Sequence, residues 1–200
     1  ALLSRGLGDV YKRQIADGEH PDVAEAQLEQ YLPRFSGDDV PATAVGATLA
    51  ISDKLDTIVG IFSIGQQPSG SRDPFALRRA SLGVLRIIIN RAIDLDLNDA
   101  INIAGNQLKL DNKALELIRK QVLAYVLERF KSWYKEKGLS PEIFLSVAAL
   151  DLSNPLDIDS RVKAVSRFTS LPESQDLAAA NKRVSNICLL YTSPSPRDNK

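Results

Sequence analysis

Asp53 and Asp56 stand three residues apart in the run Ile51-Ser-Asp-Lys-Leu-Asp56. On a helix that spacing puts two carboxylates on one face, where they could serve a metal ion. Lys54, Arg72, Arg78 and Arg79 crowd around the loop that follows, and Arg86 lies farther along the same stretch. Guanidinium forks match phosphate oxygens and would position a nucleic acid without reading its sequence. Intramolecular pairing is the alternative, for example of Arg72 or Arg78 with Asp73, Asp56 or Asp53. Other chemistry has little raw material. His20 is the only histidine and Cys188 the only cysteine, so a Ser/His/Asp or a Cys/His constellation has almost no raw material. Gly65-Gln-Gln-Pro-Ser-Gly70 matches no phosphate-loop pattern. Asp73 would also repel a phosphate from the helix start that follows it.

The elements that must carry these residues read as helices almost throughout. Pro21 suits a first turn, and a helix is expected over 22–31, stopped by Pro33. A long helix is expected from Pro41 to about Phe62, with Ile51, Leu55, Ile58 and Phe62 as its buried stripe. The breakers Gly65, Pro68 and Gly70 make 63–72 a loop. Asp73-Pro74 is expected to cap and open the next helix, running to about Ile93. Its apolar face would be Leu77, Ala80, Val84, Leu85 and Ile88. Arg79, Gly83, Arg86 and Asn90 fall on another face, which reads either as a solvated strip or as a basic strip where glycine admits a partner's backbone.

Asp94–Asn98 leads into a short helix to about Ala104. A long helix over 113–136, capped by Asp111 or Asn112, has the seam Leu115, Ile118, Val122, Val126, Phe130 and Trp133. Core packing is the better expectation for Tyr125, Trp133 and Tyr134 than base stacking. Ser140-Pro141 starts another helix to about Ala149, and Asp157 or Asp159 is expected to cap one ending near Phe168. A last helix begins at Pro172, with Leu177, Ala180, Val184 and Ile187 along one side. The best break between subdomains lies in 105–112.

Both ends look foreign. Ser4–Gln14 (SRGLGDVYKRQ) and Cys188–Arg197 (CLLYTSPSPR) can be encoded by one DNA sequence read on opposite strands. That is expected of a sequencing adaptor left at both ends, and such segments are set aside from fold reasoning. The whole chain balances 25 basic against 25 acidic residues. Without 1–14 and 188–200, 20 basic and 23 acidic residues remain. That mild negative charge excludes a generally basic nucleic-acid binder, so any RNA contact must come from a local patch. The cysteine goes with the tail, leaving no disulfide framework, as fits a cytoplasmic protein. No apolar run approaches the ~18 residues of a membrane span.

Several motifs in order carry a family resemblance. They are Ser52-Asp-Lys-Leu-Asp-Thr57, Gly60-Ile-Phe62, Ile64-Gly65, Pro68 with Gly70, Asp73-Pro-Phe-Ala-Leu-Arg-Arg79 and Gly83-Val-Leu-Arg-Ile87. Farther on come Arg129-Phe130, Trp133-Tyr134, Arg161-Val-Lys-Ala-Val165 and the run Ala178 to Ile187. Together they resemble the β subunit of the bacterial tetrameric glycyl-tRNA synthetase. The resemblance implies an all-α fold: a truncated HD-like helical domain over 15–108, then a helical region over 109–187 leading to an anticodon-binding domain. It implies a ligase subunit that binds tRNA-Gly beside an α subunit holding the adenylate site, ATP and Mg2+ being used by the holoenzyme. This piece itself is expected to hold no cofactor or metal and no catalytic residue. Neither DNA nor membrane is expected as a partner.

Lys54, Arg72, Arg78, Arg79 and Arg86 are the expected tRNA contacts, and Asp53 and Asp56 the vestigial HD-like positions. The segment 51–56 also resembles the last helix of HD-type metal-dependent phosphohydrolases, so a fragment of such an enzyme is the alternative. A purely structural helical assembly module is the third.

Overall fold

The computed structural model describes residues 10–70 and 72–192, the side chains of 185–192 excepted. Most of the two adaptor-like tails, and the side chain of Ile187, lie outside the described residues. The fold is all-α. The helices are α1 (10–16), α2 (Pro21–Glu29), α3 (Ala44–Ser63), α4 (Leu77–Asn90), α5 (Leu97–Gln107), α6 (Asn112–Glu136), α7 (Pro141–Ala148), α8 (Pro155–Thr169) and α9 (Glu173–Thr192). Among the described residues no strand forms, only an isolated bridge between Ser69 and Arg72. No described helix is long and apolar enough to cross a membrane.

Two compact units divide the chain, Ala1–Asp159 and Ser160–Lys200. In the first, α3 packs against α2, α4, α5 and α6, α6 also packs on α4 and α5, and α7 packs on α6. The four stripe residues of α3 are all buried, as is the α6 seam except for half-buried Leu115. Phe130 stacks on Tyr134 with centroids 5.3 Å apart, and Trp133 and Phe144 complete the cluster. Aromatic pairs at such separations add to simple burial.

Across the expected break at 105–112, α5 and α6 pack on each other. A β-carbon on Gly105 would lie 2.3 Å from Leu115 Cδ1, so α5 and α6 meet closely there and the leucine end would have to shift for a side chain. In the second unit the expected apolar side of α9 is not covered: Leu177, Ala180 and Val184 are all exposed.

Helix starts differ from expectation for identifiable reasons. α3 begins at Ala44 rather than at Pro41, because Thr43 caps it, its side chain accepting the Gly46 N–H at 2.9 Å. Buried Glu29 reaches the same terminus from α2 and accepts the Ala42 and Thr43 amides. α4 begins at Leu77, because Asp73–Ala76 form a turn that ends in left-handed Ala76 (φ 54°). α8 begins at Pro155, ahead of Asp157, and the Asn154 side chain accepts the amides of Leu156 and Asp157. Asp159 instead lies buried and accepts the Tyr134 hydroxyl at 2.9 Å.

Candidate nucleic-acid interface

Asp73 sets the local frame. Its two carboxylate oxygens accept the amides of Leu77 (2.8 Å) and Arg78 (2.9 Å). The carboxylate therefore caps α4 across the turn rather than from the N-cap position. It also occupies the place a phosphate would need, so this helix terminus is closed to anions. Arg78 reaches back to donate to the Gly70 carbonyl. That bond ties the loop to the first turn of α4, and an isolated bridge joins Ser69 to Arg72 within the loop. Gly70 sits at φ 53°, a conformation side chains resist.

The five expected cations then separate into two sets. Lys54, Arg78 and Arg86 are engaged inside the chain. Lys54 is buried and donates to the Gln30 carbonyl at 3.0 Å. Burial pushes its pKa below the usual lysine value, and neighbouring Asp53 partly opposes this. Arg86 donates to the carbonyls of Phe35 (3.0 Å) and Asp38, holding the loop after α2. The acceptors are backbone oxygens, not the carboxylates of Asp53, Asp56 or Asp73. Arg72 and Arg79, by contrast, are exposed, and their guanidiniums have no hydrogen-bond or ion-pair partner among the described residues.

Gly83 does not open the α4 strip to an outside backbone. A β-carbon there would meet Lys54 Cε at 3.1 Å and Pro33 Cδ at 3.6 Å. The glycine makes room for the stem of Lys54 from the chain's own α3.

Asp53 and Asp56 are exposed on α3. Among the described residues no group of three or more His, Cys, Asp or Glu side chains is placed to hold a metal ion. His20 caps α2, its Nδ1 accepting the Asp22 amide at 3.2 Å.

A groove of ≈ 340 Å³ runs between the end of α2, the middle of α3 and the start of α4, with Arg34, Lys54, Asp53 and Arg79 along it. Arg34 is a cation that sequence reasoning missed. Its Nε donates to Asp38 at 3.0 Å, and this bond is the main cause holding the Asp38 carboxyl below its usual value. Tyr31 and Arg34 lie beyond the end of α2 at Glu29, on either side of buried Pro33, and both are exposed.

The pattern described by the family model "Glycyl-tRNA synthetase beta subunit" matches residues 6–149, a span that includes every one of these cations. The chain belongs to the glycyl-tRNA synthetase beta subunit family. It is 50% identical over 181 residues to the glycine–tRNA ligase beta subunit of Chromohalobacter salexigens, covering 90% of this chain and 26% of that protein. The same-named protein of Photobacterium profundum is 52% identical over 192 residues, covering 95% and 27%. That of Pseudomonas aeruginosa is 54% identical over 170 residues, covering 85% and 25%. The chain thus spans about a quarter of the length of these curated relatives. The two exposed arginines, Arg72 and Arg79, both lie inside the matched span, and Arg79 also lines the groove.

Proposed function

We propose that this chain is the RNA-gripping, non-adenylating part of a glycine–tRNA ligase, working with an α subunit that holds the adenylate site. ATP and Mg2+ serve that α site, the nucleic acid is tRNA-Gly, and the setting is the cytoplasm. One observation carries the reading: Arg72 and Arg79 stay exposed and unpartnered among the described residues, on a loop and helix tied together by Arg78 and Asp73. Tethered guanidiniums bind phosphate oxygens at lower entropic cost than free ones. Lys54, Arg78 and Arg86 act indirectly, by fixing the surfaces that Arg72 and Arg79 occupy. Asp53 and Asp56 are then vestigial positions of an HD-like domain over 15–108, and 109–187 leads toward an anticodon-binding region.

The test is glycine attachment to tRNA by purified α subunit with the complete β subunit. Arg72→Ala with Arg79→Ala raises the KM for tRNA about tenfold, with ATP–pyrophosphate exchange unchanged. An unmoved KM rejects the patch. Divalent-ion-dependent phosphoester hydrolysis by the β subunit alone would favour the phosphohydrolase reading instead.

A further inference from the structure

We infer that the groove between α2, α3 and α4 receives one unstacked nucleotide of the bound RNA, its base lying against Tyr31 and Phe75 and its phosphate on Arg79 and Arg34. The inference rests on the RNA-binding reading above and gives it a ligand subsite. Tyr31 and Phe75 both line the groove and are 48% and 43% exposed, although the core beside them is closely packed. Phe75 is not merely a stray surface ring. It sits in the Asp73–Ala76 turn, which Asp73 anchors to α4 and which closes through left-handed Ala76. A non-glycine residue held at positive φ costs conformational energy, and such positions gather at ligand sites.

The polar groups are complementary to the parts of a nucleotide. Arg79 has its whole guanidinium free, and Arg34 uses only Nε, on Asp38, so both Nη groups lack a hydrogen-bond partner among the described residues. Two such forks suit one phosphate. Asp53 also lines the groove, and its exposed carboxylate accepts no hydrogen bond among the described residues. A carboxylate beside two aromatic faces repels phosphate but accepts from an exocyclic amino group of a base. The cavity, ≈ 340 Å³, is within the range of small-molecule sites. Aromatic faces that take one base with an arginine on its phosphate are the physical mode of single-strand recognition.

The experiment uses the complete β subunit and a short single-stranded RNA carrying 2-aminopurine, whose emission is quenched on stacking, alongside intact tRNA. Tyr31→Ala and Phe75→Leu each weaken binding of the single strand about tenfold and abolish the quench, leaving the salt dependence unchanged. Tyr31→Phe and Phe75→Tyr, which keep the rings, restore both. Should the ring variants leave quench and affinity unmoved while Arg72→Ala and Arg79→Ala still weaken tRNA binding, the subsite is wrong and the RNA-binding reading survives. If neither set of variants moves tRNA binding, both fall.

Discussion

Lys54 of α3 lies across Gly83 of α4, its Cε only 3.1 Å from where a glycine-83 β-carbon would stand. The lysine stem fills the space that the missing side chain leaves, and its ammonium ends on the Gln30 carbonyl of the α2 terminus. Three segments are joined by one side chain. Lys54→Ala should therefore lower stability by about 1–2 kcal/mol through lost packing and a lost hydrogen bond. Lys54→Met should recover most of that loss, because burial already disfavours the charge. Urea titration of the three proteins checks this; equal midpoints would mean that Lys54 holds nothing.

Glu29 and Gly46 make a second lock, between α2 and α3. Glu29 is buried, accepts the Ala42 and Thr43 amides and the Thr43 hydroxyl, and leaves no room at residue 46, where a β-carbon would stand 1.9 Å from its Oε2. Gly46→Ala should cost about 1–3 kcal/mol by overpacking, despite alanine's better helix propensity. Combined with Glu29→Ala, which removes Oε2 and Cδ but keeps the Cβ 2.8 Å away, it should cost less than the sum of the two single losses. Additive losses would show that the two residues do not meet.

Asp73 is the cap on which the loop–helix unit depends. Asp73→Ala should cost about 0.5–2 kcal/mol, the range for removing a helix cap. It should also weaken RNA binding indirectly, while Asp73→Asn, which keeps an acceptor, should retain more of both. An alanine variant as stable as the parent would contradict the two amide bonds.

Tyr134 gives a pH dependence with a fixed sign. Burial first, then the neighbouring Asp159 charge and the hydrogen bond to it, push its pKa well above the ordinary 10.0. Its native-state proton is thus held more tightly than in the unfolded chain. The associated stability is complete below pH 10 and is lost as pH rises beyond it. Urea midpoints from pH 8 to 11 should fall above pH 10, and more shallowly in Tyr134→Phe. At neutral pH that variant should be less stable by about 1–3 kcal/mol, because Asp159 loses a donor. A parallel fall in both proteins would exclude Tyr134 as the group responsible.

How much of this was legible in sequence depended on the range of the interaction. The α3 stripe and the α6 seam follow from apolar periodicity alone, and Asp111 caps α6 as its position implies, accepting the Ala114 amide at 2.8 Å. The starts of α3 and α4 were misplaced by about a turn because what settles them is not local. Glu29 arrives from fourteen residues away, and Ala76 takes a backbone conformation that alanine's propensity argues against. The cluster of cations was visible, but its division was not. Arg78 and Arg86 bind backbone carbonyls, which leave no trace in side-chain patterning. Gly83 suggests either a solvated strip or room for an outside partner, and Lys54 and Pro33 cover it. Tyr31, Arg34 and Phe75 join one groove only because α2 folds back beside α3 and α4.

The most direct test of the central claim is tRNA affinity of the complete β subunit as a function of salt, with and without Arg72→Ala and Arg79→Ala. Each phosphate contact contributes about 0.9 to the slope of log affinity against log salt on a duplex. The double variant should bind at least tenfold more weakly at low salt, with a slope shallower by about 1.5–2. Affinity and slope equal to those of the parent would contradict the claim that these two open arginines hold the RNA.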